Sequence, residues 1–179
     1  MKLVVNLGMS RTGSHFMTRL LEAGTGYFCF KLCEPDLPHP INGLGLLDYL
    51  GTFRNRELVV VHTTRDREEV WASIRHAQKE APGFMGRFVR RSHFDTLYDR
   101  ELANFEAFAE RAHELEEKRV KCSVVSIAYE DLDVPVKRHE WLIELDSLLP
   151  GNLERWRRFF DRMWMKKPVG MGRLEAGVR

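Results

Sequence analysis

The run Leu58-Val59-Val60-Val61 constrains the chain more than any other short stretch in it. β-Branched side chains are stiff at the first torsion and fit a pleated strand, and a run that is apolar at every position needs cover on both faces. That is the signature of an inner strand of a parallel sheet, because parallel strands are joined by helices that pack on either side. Periodicity supplies the alternating elements such a sheet requires. Lys2 to Leu7 reads as a strand, about Ser14 to Ala23 as a helix with Phe16, Met17, Leu20 and Leu21 on one face, and Tyr27 to Leu32 as a second strand. Cys33 to Gly45, with Pro35, Pro38, Pro40, Gly43 and Gly45, reads as a loop.

After the β-branched strand a helix is expected from about Arg67 to Lys79, broken by Pro82-Gly83. The basic segment holding Arg87, Arg90 and Arg91 reads as a loop or short helix. Tyr98, Leu102, Phe105, Ala109, Ala112 and Leu115 then recur at helical spacing and predict one long amphipathic helix from about Thr96 to Lys118. Ser123 to Ala128 is the fourth strand. Two helices follow, near Lys137 to Leu148 and near Asn152 to Met165, the latter with Leu153, Trp156, Phe160, Met163 and Trp164 inward.

The fold expected is α/β: a three-layer P-loop-like fold with a central, mainly parallel sheet of about four to five strands flanked by helices, and ligand sites at the carboxyl ends of the strands. At 179 residues, 44% hydrophobic and 30% charged, the chain suits a single domain spanning 1–179. Residues 166–179 read as a basic, Gly-containing tail or lid. A net charge of +2 excludes wholesale nucleic-acid binding, so any anion site depends on locally placed Arg and Lys. No stretch approaches the ~20 apolar residues of a membrane span, and the amino-terminal apolar run is too short for a secretory signal. The expectation is a cytoplasmic protein with neither nucleic-acid nor membrane partners. Cys29, Cys33 and Cys122 lack the paired spacing of a zinc site and read as reduced thiols, and no two of the seven histidines show metal-ligand spacing, so no metal is expected.

Chemistry concentrates in Gly8-Met9-Ser10-Arg11-Thr12-Gly13-Ser14-His15, between the first strand and the first helix. Backbone N–H groups and the helix dipole can cradle phosphate there. A nucleotide triphosphatase would carry Lys and then Ser or Thr after the second glycine; Ser14 and His15 stand there instead, and the positive charge sits earlier, at Arg11. A second element, Thr64-Arg65-Asp66-Arg67-Glu68-Glu69-Val70-Trp71-Ala72-Ser73, follows the third strand. Arg65 at the strand end and Ser73 about two turns along the next helix suit a phosphate monoester, the arginine as a charged fork and the serine as a short neutral donor.

Together these elements resemble the nucleotide-dependent sulfotransferase family. Arg11-Thr12-Gly13-Ser14 matches its phosphosulfate loop, and Arg65, Asp66, Glu69 and Ser73 match its 3′-phosphate element, with Arg67 in place of a proline. Tyr129-Glu130-Asp131-Leu132 matches a Tyr-Glu-Asp-Leu segment whose tyrosine lies near the adenine. The resemblance covers about Lys2 to Leu132. His15 departs from a usual hydroxyl, the chain is short for the family, and its basic carboxy-terminal loop is loosely echoed by Lys166-Lys167-Pro168-Val169-Gly170.

The resemblance implies 3′-phosphoadenosine 5′-phosphosulfate as cofactor, 3′-phosphoadenosine 5′-phosphate as its product, no metal, and a small-molecule or carbohydrate acceptor. It implies nucleotide contacts from Arg11, Thr12, Gly13, Ser14, His15, Arg65, Ser73, Tyr129, Lys166 and Lys167. Arg11 would stabilise the leaving phosphate, Lys31 would orient the sulfuryl oxygens, and Glu34 or His39 would serve as base. Two other readings stay open: a catalytically idle nucleotide-binding module, and a nucleoside or nucleotide kinase with an atypical P-loop.

Overall fold

The computed structural model describes residues 2–8, 12–32, 43–80 and 90–164. Among them, four strands form one all-parallel sheet: β1 (Lys2–Leu7), β2 (Tyr27–Leu32), β3 (Arg56–Thr64) and β4 (Val120–Ala128), in the order β2-β1-β3-β4. In register, Val5 of β1 stands beside Phe30 and Val60, and Val60 beside Val124. The helices are α1 (Ser14–Glu22), α2 (Gly43–Gly51), α3 (Arg67–Glu80), α4 (Arg91–Arg111), α5 (Glu114–Glu117), α6 (Pro135–Leu148) and α7 (Leu153–Trp164), with a 3₁₀ turn at Tyr129–Asp133 between β4 and α6. The architecture is three-layered α/β, as a P-loop-like fold requires.

Alternation along the inner strands assigns the layers. Val4, Val59, Val61 and Ile127 face a core completed by Met17, Leu20 and Leu21 of α1, Trp141, Leu142 and Leu145 of α6, and Trp156 and Phe160 of α7. Leu3, Val5, Leu58 and Val60 face the opposite core with Leu46, Leu47 and Leu50 of α2, Phe108 of α4 and Leu115 of α5. The strand order demands this split: from β1 the chain steps one way to β2 and the other way to β3 and β4, and right-handed crossovers in opposite directions use opposite faces. Connections diverge to either side of the sheet at the carboxyl ends of β1 and β3, which leaves a crevice there.

Three elements depart from the sequence reading. Residues 43–51 are helical although Gly43 and Gly45 argue for a loop: burying Leu46, Leu47 and Leu50, at about 1.5–3 kcal/mol each, outweighs the ~1 kcal/mol helix penalty of a glycine. The long helix is two pieces that begin earlier, at Arg91; Arg119, at φ 60°, then turns the chain into β4. β4 begins at Val120, three residues before the expected Ser123, while β3 continues past its apolar run to Thr64, just before Arg65 as the sequence implied.

Candidate functional site

The crevice is built around two glycines that cannot be replaced without displacement. A Cβ on Gly8 would stand 3.0 Å from both Thr12 Oγ1 and Thr63 O, so the loop turns tightly against the end of β3. Gly13 caps α1 in the left-handed region, at φ 88°, and a Cβ there would overlap the ring of Tyr129. The loop and the Tyr-Glu-Asp-Leu segment, more than a hundred residues apart in sequence, therefore touch at Gly13.

Asn6, fully buried at the end of β1, fixes the entry to α1: its Nδ2 donates to Ser14 O and Thr18 Oγ1, both at 2.7 Å, and Thr18 Oγ1 donates to the same carbonyl. Thr12 and Ser14 are buried beside it, whereas His15 is exposed. The cap residue of α1 is a glycine, and the first turn of the helix has no acidic residue. By contrast, Asp66 Oδ1 accepts from Glu68 N and Glu69 N at the start of α3. The positive dipole end of α1 thus faces the crevice, where an anion would be favoured.

Arg65 enters from the carboxyl end of β3. Its guanidinium lies 4.8 Å from the centroid of the Tyr129 ring, and it pairs with Glu69 at 3.3 Å and with Glu130 at 3.6 Å. Glu130 also accepts from Asp66 N. Tyr98 Oη donates to Arg65 O at 2.5 Å, and burial raises the pKa of that phenol. Gly13, Tyr129 and Arg65 form one contiguous stack, so three separate sequence segments meet.

Ser73 is half-buried on α3, one turn beyond Glu69 and therefore on the same side of the helix. Arg67, at the position of the expected proline, pairs with Asp95 and Asp99 of α4 and lies 4.9 Å over the Tyr98 ring. Arg91 pairs with Glu68 and Asp95. These contacts clamp α3 to α4, so most of the charge in the Arg-Asp-Arg-Glu-Glu start serves packing and Arg65 alone turns toward the loop. Lys31 lies next to Asn6 across the β1–β2 pairing. Arg11, Glu34, His39, Lys166 and Lys167 lie outside the described residues, as does Cys33. Burial raises the Cys29 and Cys122 thiols to about 12, which keeps both protonated and unreactive.

Sequence reasoning missed His62 and Thr63. Both are buried at the carboxyl end of β3, and the His62 imidazole stacks on Phe105 of α4 with ring centroids 3.4 Å apart. Burial pushes its pKa down to about 4, so the ring is neutral at physiological pH. Their signal was the polar His-Thr-Thr immediately after an apolar strand, at the end where ligands bind. Among the described residues no group of three His, Cys, Asp or Glu could hold a metal, and no helix is long and apolar enough to cross a membrane. No protein-family model, no curated protein and no solved structure matches the chain.

Proposed function

We propose that the chain binds 3′-phosphoadenosine 5′-phosphosulfate at the carboxyl edge of β1 and β3 and transfers its sulfuryl group to a hydroxyl or amine acceptor. One observation carries the reading: a glycine-capped helix N-terminus with no acidic residue in its first turn adjoins Tyr129, on whose ring Arg65 is stacked. In this reading the N–H groups around Thr12, Gly13 and Ser14 hold the inner phosphate, Arg65 with Ser73 holds the 3′-phosphate, and Tyr129 walls the adenosine between them.

The acceptor oxygen or nitrogen forms a bond to sulfur as the bond from sulfur to the bridging phosphate oxygen breaks. The electron pair leaves with 3′-phosphoadenosine 5′-phosphate, and the acceptor proton goes to a base. Arg11 as the cation on the bridging oxygen, Lys31 on the sulfuryl oxygens and Glu34 or His39 as base complete the scheme from the sequence resemblance. It needs no metal ion. A second reading, a nucleotide-binding module without turnover, draws support from Glu69 and Glu130, which pair with Arg65 and offset its charge.

Calorimetry tests the first reading. 3′-Phosphoadenosine 5′-phosphate should bind more tightly than adenosine 5′-phosphate or ATP, and Arg65→Ala should weaken it by about 1.5–3 kcal/mol, roughly 10- to 150-fold. Adenosine 5′-phosphate should be affected within about twofold, the scale of a contact not made. Equal losses for both nucleotides sink the assignment of Arg65, and a preference for ATP sinks the sulfotransferase reading. Turnover of the phosphosulfate separates enzyme from idle module.

A further inference from the structure

The two outer edges of the sheet meet solvent differently. On β4, Lys121 and Ser126 are exposed, and Asp131, Lys137, Glu140 and Glu144 stand around the carboxyl end. Charged and polar groups of this kind keep a strand edge from recruiting another strand. β2 lacks such protection. It holds no proline, pairs with β1 residue for residue without a bulge from Tyr27 to Leu32, and carries a single charge, Lys31. Among the described residues no strand lies on its outer side.

The ladder with β1 fixes which backbone groups face outward. Gly8 N donates to Leu32 O, so Leu32, and by alternation Phe30 and Phe28, turn their N–H and C=O groups toward β1. The same groups of Tyr27 and Cys29 therefore point away from the sheet. Phe28 and Phe30 stand beside Leu3 and Val5 on the face covered by α2. There Phe30 meets Phe53 with ring centroids 5.7 Å apart, and Phe53 meets Tyr49 at 5.6 Å. Phe28 is 57% exposed and Tyr49 41%. Four aromatic rings thus border an open strand edge, an arrangement that water disfavours unless something covers it.

The strand is complementary to itself. Laid antiparallel about Cys29, two copies of β2 exchange both N–H···O bonds between their Cys29 residues and set Tyr27 of each opposite Lys31 of the other. Phe28 of each copy then faces Phe30 of the other in the closely spaced kind of pair, with Cα atoms about 4.5 Å apart, where aromatic side chains make a favoured cross-strand contact. The two Lys31 charges fall at opposite ends of the paired strands. Each reaches the end where Glu22 of the other copy stands, exposed and close enough to Cys29 to act on its thiol, on the face that Lys31 shares.

We propose that the outer edge of β2 is a two-fold dimer interface: a second copy of this chain adds its β2 antiparallel about Cys29, joining two four-stranded sheets into one and covering the aromatic cluster of Phe28, Phe30, Tyr49 and Phe53. The pairing keeps both α2 helices on the same face of the joined sheet. It stands independently of the nucleotide reading.

Sedimentation equilibrium of the full chain without nucleotide, from micromolar to millimolar concentration, should show a monomer–dimer equilibrium. Phe28→Asp should weaken it by at least about tenfold, because it removes two aromatic pairs and puts a carboxylate in each. Tyr49→Ala, at the margin of the cluster, should weaken it about two- to threefold and serves if Phe28→Asp folds poorly. Val136→Asp, at a valine 66% exposed on α6, should leave the dimer unchanged. Amide hydrogen exchange locates the contact: Cys29 N–H should be protected in concentrated wild type and exchange freely on dilution or in Phe28→Asp. A monomer at every concentration overturns the proposal, and so does a dimer that Phe28→Asp and Tyr49→Ala leave intact. A dimer whose Cys29 amide exchanges freely overturns the strand pairing. Protection of that amide in a monomer shows that the chain covers its own edge, which overturns the second copy as occupant.

Discussion

Buried polar side chains gather at both ends of the sheet, and the two groups are treated differently. At the amino end, Asn152 is fully partnered: Oδ1 accepts from Thr25 N, Nδ2 donates to Thr25 O and Leu149 O, and its backbone N donates to Asp146 Oδ1. It ties the segment before β2 to the start of α7. At the carboxyl end, Asn6 Oδ1, His62 Nδ1 and Thr63 Oγ1 are buried without partners among the described residues. Burial is equal at the two ends, so burial does not separate them. Hydrogen bonding does: the Asn152 amide makes its bonds within the fold, whereas these three atoms, like the indole nitrogens of Trp141 and Trp156 in the core, make none among the described residues.

The largest effect expected is at the satisfied end. Asn152→Ala leaves Thr25 N, Thr25 O and Leu149 O without their side-chain partner and should cost about 3–4 kcal/mol in urea unfolding, with nucleotide affinity unchanged. A loss below about 1 kcal/mol would erase the contrast.

The next effect is a pH dependence at the open end. The folded pKa of His62, about 4, lies below the unfolded value of 6.5, so the unfolded chain binds the proton more readily. The stability is fully present above pH 6.5 and is lost as pH falls toward 4, with a ceiling of roughly 3 kcal/mol. Denaturation midpoints across that window should fall in wild type and flatten in His62→Phe. An unchanged slope in the variant would remove His62 as the source.

The smallest effect sharpens the comparison at Arg65. If the proposed nucleotide binds at Arg65, Glu130→Gln removes a carboxylate that competes with its 3′-phosphate, and the affinity for 3′-phosphoadenosine 5′-phosphate should rise by about two- to fivefold, since the pair is partly exposed and screened. Weaker binding in the calorimeter would make Glu130 a ligand contact rather than a competitor.

Much of this was readable from the chain, for identifiable reasons. Val59 to Val61 forced a doubly covered strand, and the glycine before Ser14 marked the turn into α1. Arg65 could be placed because it follows a strand directly. What escaped depended on tertiary packing. Gly43 and Gly45 hid α2, whose leucines only earn a helix by burial in the core. His62, Thr63 and Thr64 lie beyond the apolar pattern, which carries no signal for their burial, while the sheet ladder with β4 continues the strand to Thr64. The contact between Gly13 and Tyr129 has no local signal. Neither do the ion pairs of Glu69 and Glu130 with Arg65.

The strand order also sets a schedule for synthesis. β1 is first in the chain yet lies inside the sheet, with β2 on one side and β3 on the other. When β2 emerges, β1 has one neighbour and an open edge bearing Val4 and Val5, both fully buried in the finished fold. Its second neighbour ends at Thr64, and at roughly 5–20 residues per second the ribosome takes about 2–6 s to deliver it. For that interval the nascent chain carries an unpaired apolar strand edge, a template for wrong pairing and a natural landing place for a chaperone.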